Sequence, residues 1–560
     1  FIASLAIPKP MNTGSAPNDS DKEGFFMKKK LVSSVLIAAM LLSMTACGSD
    51  NHAADSNAAG TTGGTEASGD GDTTAASDLE PVTLKMYFHG SNVTDDSQVL
   101  EKVNEYLQQQ INVTLEPIWG TWGDFDTNAV LSLQGGDDVD IYFTCSWSAD
   151  EYNKFARDGY WVRLDDPENN LIEKYASDLW DVLPEVLTNG ATINGSDGYG
   201  VYAVPGYKDI ATQNCWDVNM TRMRDLGYTD ADVEHLDYYS DEFEEMLAKA
   251  KEAGGSDFYP LLVEGAVLER MVDNSIIVTG DSGTGNFMSY YLDPTDVSKE
   301  TSYGNKILNK FATDEFKKFA ERTRHFFEAG YIDPAMANAN QANDTRTAKQ
   351  LTGEYLIGTQ SYALGYELQA SDERKIEVKM VPCTEPYVDT TSSQGAMMAI
   401  STASKNPERA MMFLNLLNTD SYLMTMLNYG IEGVHYELKD GLVEFTDKRT
   451  DYQPWTNGMG NVTILPATTA QGDEFWTTFK NYYGTAKQIP ILGYAYDATN
   501  CETQMGSVAN VVAEYMLPLC TGAVDPDEKL PEFLQKLDDA GINDILDDAN
   551  AQLDEFMAAK

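Results

Sequence analysis

Val82, Leu84, Met86 and Phe88 alternate with Thr83, Lys85 and Tyr87, the two-residue period of a β-strand. Val99, Leu100, Val103, Tyr106 and Leu107 then recur at the spacing of a helix face. The alternation returns with Ile111, Val113 and Leu115 against Asn112, Thr114 and Glu116, and an amphipathic stretch at 129–133 leads into a third apolar run from Val139 to Phe143. Strands separated by helices predict an α/β fold, a parallel sheet with helices on its faces. Such sheets bind ligands beyond the carboxyl ends of their strands, which here carry residues 88–92, 119–122 and 144–147. Further along, Asn406, Pro407 and Glu408 supply an N-cap, a first-position proline and an acidic first turn. Ala410, Phe413, Leu414 and Leu417 follow on one face, Thr419 and Asp420 open another helix that Gly430 closes, and 531–557 keeps helical spacing.

Ahead of this patterned region lies a different kind of sequence. Met27 is followed by Lys28, Lys29 and Lys30, an apolar run over 31–42, and small residues ending in Thr45, Ala46 and Cys47. This is the layout of a secretory signal, and the apolar run is shorter than the roughly 20 residues a spanning helix needs. Residues 44–47 (MTAC) resemble the bacterial lipobox, in which the cysteine receives a lipid and the chain is cut just before it. The expected organisation is therefore a non-native or mis-started extension at 1–26, a signal peptide at 27–46, and a lipid-anchored tether at 47–80. The tether, built of Gly, Ala, Ser, Thr, Asn and Asp, has too little apolar surface to fold.

The chain of 560 residues is long enough for two lobes. A formal charge of -49 repels phosphate backbones and argues against a nucleic-acid partner. Six cysteines occur without a Cys-x-x-Cys pair, so no zinc ribbon or thioredoxin-like site is legible. With Cys47 set aside, Cys145, Cys215, Cys383, Cys501 and Cys520 are expected to be mostly buried thiols, Cys501–Cys520 being the one bridge left open.

A family resemblance rests on several segments: the tether, the 82–88 strand, Gly135-Gly136-Asp137 before Val139-Asp140-Ile141, and Gly159-Tyr160-Trp161-Val162 with Leu164. In this order they resemble extracellular solute-binding proteins of the maltose-binding type. Residues 202–207 (YAVPGY) look like the family's first crossing between lobes, Val381-Pro382 lies near the second, and 395–401 (GAMMAIS) looks like the strand preceding the third. Residues 405–410 resemble the helix that follows. Residues 428–436 (NYGIEGVHY) and 493–497 (GYAYD), the latter followed by 508–515, are similar to a lipoprotein branch whose C-terminal region has no assigned function.

The resemblance implies a two-lobed periplasmic-binding-protein-like fold (type II), with the ligand cleft between lobes joined by crossing strands. It places 81–205 and 383–403 in the first lobe, and 206–382 and 404–560 in the second. It further implies an importer component that closes on a small solute, most simply an oligosaccharide, and hands it to membrane permeases of an ABC transporter, acting as a monomer without cofactor.

Sugar recognition needs flat aromatic faces for pyranose C–H groups and planar polar groups for hydroxyls. Trp119, Trp122 and Trp147 follow strand-like segments and suit the first need, while His89, Asn92 and Asp124 suit the second. Residues 358–362 resemble the segment that brings an aromatic to the cleft from the second lobe, which points to Gln360 and Tyr362. Tyr207 and Trp216 flank the first crossing and are candidates for the cleft floor. Glu432 and His435 sit in the branch-specific motif, as ligand contacts or as groups fixing a loop. For each aromatic the competing reading is core packing.

Asp137, Asp138 and Asp140 do not follow a calcium-loop spacing. The glycine-rich 280–285 lacks the Lys-Ser/Thr of a phosphate loop. Two further functions stay open at this stage. An anchored glycoside hydrolase would need a pair of carboxylates across a cleft, and an adhesive or peptide-binding lipoprotein would present an open face.

Overall fold

The predicted alternation forms β1 (Val82–His89), in which Leu84, Met86 and Phe88 are fully buried. α1 (Asp96–Ile111) buries Val99, Val103, Leu107 and Ile111. It stops at Asn112, which adopts φ 49° and returns its N–H to the carbonyls of Leu107 and Gln108. β2 (Val113–Gly120), α2 (Phe125–Gly135) and β3 (Ile141–Thr144) complete the predicted series. The computed structural model describes residues 79–560 apart from 90–93, 122–123, 148–150, 279–286, 340, 456–457 and 560. The signal-like segment, Cys47, the tether, Asn92, Trp122 and the 280–285 loop thus lie outside the described residues.

The elements that position the site continue with α3 (Tyr152–Arg157), β4 (Ala203–Pro205), β5 (Asn214–Asn219), β6 (Leu261–Leu262), β7 (Ile357–Ser361), β8 (Val378–Pro382) and β9 (Met397–Ile400). After these come α4 (Pro407–Thr419), α5 (Ser421–Tyr429), α6 (Phe475–Tyr483), α7 (Glu502–Cys520), α8 (Pro526–Asp539) and α9 (Ile542–Ala559). One sheet has the order β2-β1-β3-β9-β4. In it β1, β2 and β3 are parallel, and β9 runs antiparallel between β3 and β4. The register sets His89 opposite Gly120 and Met86 opposite Ile141, so His89, Gly120 and Thr144 reach one common edge. A second sheet has the order β8-β5-β7-β6, with β5 antiparallel to both β7 and β8.

Each sheet has its own core. The first gathers apolar residues from 84 to 211 and again from 396 to 483, and the second those from 216 to 388 and from 489 to 553. The chain therefore crosses three times, at 211–216, 388–396 and 483–489. This corrects the expected boundary in one large piece. Residues 407–483 belong with the first core, because Ala410, Phe413, Leu414 and Leu417 of α4 turn into it, joined by Leu423, Met424 and Leu427 of α5. Arg409 fastens α4 to the carbonyl of Ile111 at 2.6 Å. The third crossing thus follows α6 rather than β9.

The crossings lie side by side. Thr212 and Tyr387 exchange backbone hydrogen bonds of 2.7 and 3.1 Å. Tyr387 and Val388 pair in parallel with Lys487 and Gln488. None of the five described cysteines is joined in a disulfide. Cys501 and Cys520 stand at opposite ends of α7, roughly 28 Å apart along a helix of that length, so the bridge left open by the sequence cannot form.

Candidate ligand cleft

The edge where β1, β2 and β3 end is walled by aromatic rings. His89 lies 3.7 Å from Phe125, nearly parallel to it, and meets Phe143 and Trp455 edge-on at 5.1 and 5.6 Å. It is 2% exposed, and burial lowers its pKa to about 4, so the imidazole is neutral at physiological pH. The expectation that His89 offers its ring nitrogens to a ligand meets a side chain packed inside an aromatic cage. Gly120 permits the tight turn into α2, since a Cβ there would fall 2.7 Å from the Phe125 ring.

Trp119 is half-buried and donates its indole N–H to Asp96 at 3.1 Å. Trp147, also half-buried, donates to the carbonyl of Gly395 at 2.7 Å. It packs against Phe143 at 6.3 Å. Ser146 adds two more ties to the same segment, to the carbonyls of Gln394 and Thr391. The Trp147 ring is therefore fixed against the segment that leads from the second lobe into β9. Asp124 is exposed, with one carboxylate oxygen taken by the N–H and hydroxyl of Thr121 at 2.9 and 2.7 Å.

Below Trp147 runs a buried polar chain. Glu151 accepts from Asn153 at 2.7 Å and from the Lys154 N–H at 2.5 Å. Asn153 in turn donates to Gln394 at 2.9 Å, and Gln394 donates to the Gly190 carbonyl at 2.8 Å. Burial raises the Glu151 carboxyl to about 7, against the lowering effect of its hydrogen bonds and of Arg157.

From the second lobe, Gln360 is half-buried near the end of β7, opposite Cys215. Tyr362 follows, its N–H donating to the Gln213 carbonyl at 2.7 Å and its ring 5.6 Å from Tyr482. Burial pushes the Tyr362 hydroxyl up to about 12. Tyr482 donates to the Gln213 side-chain oxygen, and the Gln213 amide donates to the Thr384 carbonyl at 2.5 Å. α6 thus leans from the first core onto the loop after β7. A Cβ at Gly365 would lie 3.2 Å from Phe475, and the Leu364 N–H meets the Tyr483 hydroxyl at 3.5 Å.

Four expected contacts take other places. Trp216 is 2% exposed inside the second core, stacked on Tyr238 at 6.2 Å, with its N–H on the Leu236 carbonyl. It anchors β5, of which it is part, to the second core and does not form a cleft floor. Tyr207 is buried in the first core. His435 is fully buried, its Nδ1 accepting from the Ile431 N–H at 2.9 Å, which leaves the proton on Nε2, 3.4 Å from Asp95. That ring fixes the loop after Gly430, where a Cβ would come within 2.5 Å of it. Glu432 is exposed on the same loop. Asp140 is also structural, accepting from the Lys85 N–H and the Ser404 hydroxyl.

The structure also brings forward residues the sequence patterns passed over: Trp455, Phe475, Trp476 and Tyr482. Trp455 sits in irregular chain with no periodicity to flag it. The α6 aromatics resemble an ordinary core stripe until their contact with the second lobe is seen. A separate cavity of about 470 Å³ on the first lobe, lined by Trp180, Asn170, Asn189 and Asp181 among others, includes none of the strand-end residues. Among the described residues, no group of three or more His, Cys, Asp or Glu is placed to hold a metal.

Two lobes, three adjacent crossings and an aromatic-lined interlobe edge define a solute-binding protein. The chain belongs to the bacterial extracellular solute-binding proteins, a family matched over residues 90–424. Residues 490–558 match a domain of unknown function. A carbohydrate ABC transporter substrate-binding protein of Streptococcus pneumoniae is 26% identical over 538 residues, covering 95% of this chain and 99% of the relative. The crystal structure of the N-glycan transport solute binding protein NgtS from Streptococcus pneumoniae aligns with a TM-score of 0.71 at 25% identity, over 86% of this chain and 99% of that one. The same protein in complex with Man5GlcNAc aligns with a TM-score of 0.62 at 26% identity, again over 86% and 99%.

Proposed function

We propose that this protein captures an oligosaccharide outside the cell and delivers it to the permeases of an ABC importer, without chemical conversion. The observation that carries this reading is a similarity running nearly the full length of a carbohydrate transporter's binding protein, joined to a fold whose relative is known with Man5GlcNAc bound. The local chemistry agrees. Trp119, Trp147, Trp455 and Tyr362 supply aromatic surface near the edges of the two lobes, and Gln360 supplies an amide. Asn92, Trp122 and Asp124 are proposed as polar and aromatic contacts from the turns after β1 and β2. The protein would act as a monomer, tethered by lipid on Cys47.

A thermal-shift screen of the purified protein against a panel of neutral oligosaccharides, including mannosyl-N-acetylglucosamine glycans, tests the reading, because a ligand held only by the folded state raises the melting temperature. A rise with one glycan class, and recovery of that glycan intact after long incubation, is the expected result. No shift with any glycan beside a shift with peptides would overturn it, and so would turnover that persists through repurification. Intact mass of the membrane fraction tests the anchor: a lipidated chain beginning at Cys47 is expected, and one retaining Lys28 would refute it.

A further inference from the structure

The region matched as a domain of unknown function begins where the third crossing ends. Most of it is second-lobe core: Tyr494, Tyr496, Met505, Val508, Phe533, Ile545 and Leu553 are all buried there. Its first turns do something that core filling does not require. Just ahead of it, the Ile489 N–H donates to the Val388 carbonyl at 3.1 Å. The Gly493 N–H then donates to the Thr390 hydroxyl at 3.0 Å, and that hydroxyl donates to the Tyr494 carbonyl at 3.1 Å. Thr390 is 4% exposed and lies in the second crossing. Beside it, Asp389 accepts from the Thr212 hydroxyl of the first crossing at 3.2 Å. One buried hydroxyl therefore holds the C-terminal region to the strands that join the lobes.

The gripping segment is itself held from behind by α9. Tyr494 donates to the Ala549 carbonyl at 2.7 Å, and Tyr496 to Asp548 at 3.0 Å. Gln552 clasps the backbone of Asp497 twice, accepting at 3.0 Å and donating at 2.9 Å. The carboxylate of Asp497 then reaches out of the second lobe to Arg157 of α3, in the first lobe, at 3.5 Å. Both partners of that pair are partly exposed, and such pairs are individually weak, as suits a contact that breaks and re-forms when lobes move.

We infer that residues 490–558 are a hinge brace: α9 fixes the 493–497 segment, and the hold of that segment on Thr390 and Arg157 sets the angle between the lobes and narrows its fluctuation. Hinges concentrate their motion in a few positions, and Thr390 stands among them.

The test reads the interlobe distance directly and needs no ligand, so its outcome is independent of the sugar reading. Spin labels on Leu131→Cys and Leu368→Cys, exposed positions on the first and second lobes, report that distance in the full chain, with Cys47→Ser and Cys383→Ser limiting stray labelling. In this background Thr390→Val and Arg157→Gln are each expected to broaden the distance distribution. The exchanged pair Arg157→Asp with Asp497→Arg is expected to narrow it again. Distributions superimposable on the parent for both single variants would overturn the brace and leave the region as core alone. Should Thr390→Val melt well below the parent, Thr390→Ser decides: a parent-like distribution supports the hydroxyl grip, and one broadened like the valine variant refutes it.

Discussion

Glu151 should make the protein lose stability as pH rises through neutrality. It is 1% exposed, and burial outweighs the hydrogen bonds from Asn153 and Lys154 and the charge of Arg157, raising its pKa from 4.5 to about 7. The folded state therefore holds this proton more tightly than the unfolded chain does. The stability tied to it is fully present below about 4.5 and is lost as pH rises through about 7. The interval corresponds to about 3 kcal/mol, at 1.36 kcal/mol per tenfold change in affinity for the proton. Glu151→Gln cannot ionise, so it removes the pH-dependent part and leaves only a constant cost from the altered hydrogen bonds. Urea denaturation of both proteins at about pH 5 and about pH 8.5 measures the difference between them at each pH. That difference should move by about 3 kcal/mol in favour of the glutamine variant at the higher pH. Asp273, raised to about 8 by burial and by Glu269, titrates in both proteins and cancels. Parallel pH dependences for the two proteins would refute the reasoning, because Glu151 would then be ionised in the folded state or exposed enough to titrate freely.

Trp216→Ala should lower stability by about 3–5 kcal/mol, as large aromatic truncations in a core do; an unchanged denaturant midpoint would place the ring outside the core. Trp147→Ala should weaken glycan binding about tenfold, or about 1.4 kcal/mol, with a smaller loss of midpoint than Trp216→Ala, and unaltered affinity measured by calorimetry would remove it from the cleft. His89, lowered from 6.5 to about 4 by burial, contributes stability present above about pH 6.5 and lost as pH falls through about 4. His89→Gln should therefore flatten the acid limb of the stability curve, and an unchanged limb would contradict the buried neutral ring.

The first half of the first lobe was legible because its strands alternate cleanly and its helices stop at Asn112 and Gly136, both in the left-handed region. The cleft was half legible. The rule that ligands gather beyond strand ends pointed to Trp119 and Trp147, and the family segment pointed to Tyr362, all three of which are half-buried. It could not separate these from Trp216, since an indole near a crossing reads the same whether it faces solvent or Tyr238. The lobe assignment of 407–483 failed for a similar reason. The apolar face of α4 declares that it packs, but nothing local says against which of two sheets; the partners of Arg409, about 300 positions away, decide it. Trp455 and α6 became candidates only through contacts between distant stretches of chain.

The insertion of β9 between β3 and β4 has a consequence for the order of assembly. β4 joins its sheet through β9, which is synthesised almost two hundred residues later, and the first core closes only when α6 arrives. Contacts this remote in sequence are slow to form, because a long loop must close before they contribute anything. The amino-terminal lobe is thus completed late, although it is the first to be begun, and the second core waits longer still, for residues 489–553. A nascent chain halted before Met397 would have an unpaired β3 edge and half a core. For a member of an extracellular solute-binding family, such a delay would suit a chain that has to stay unfolded while it is exported.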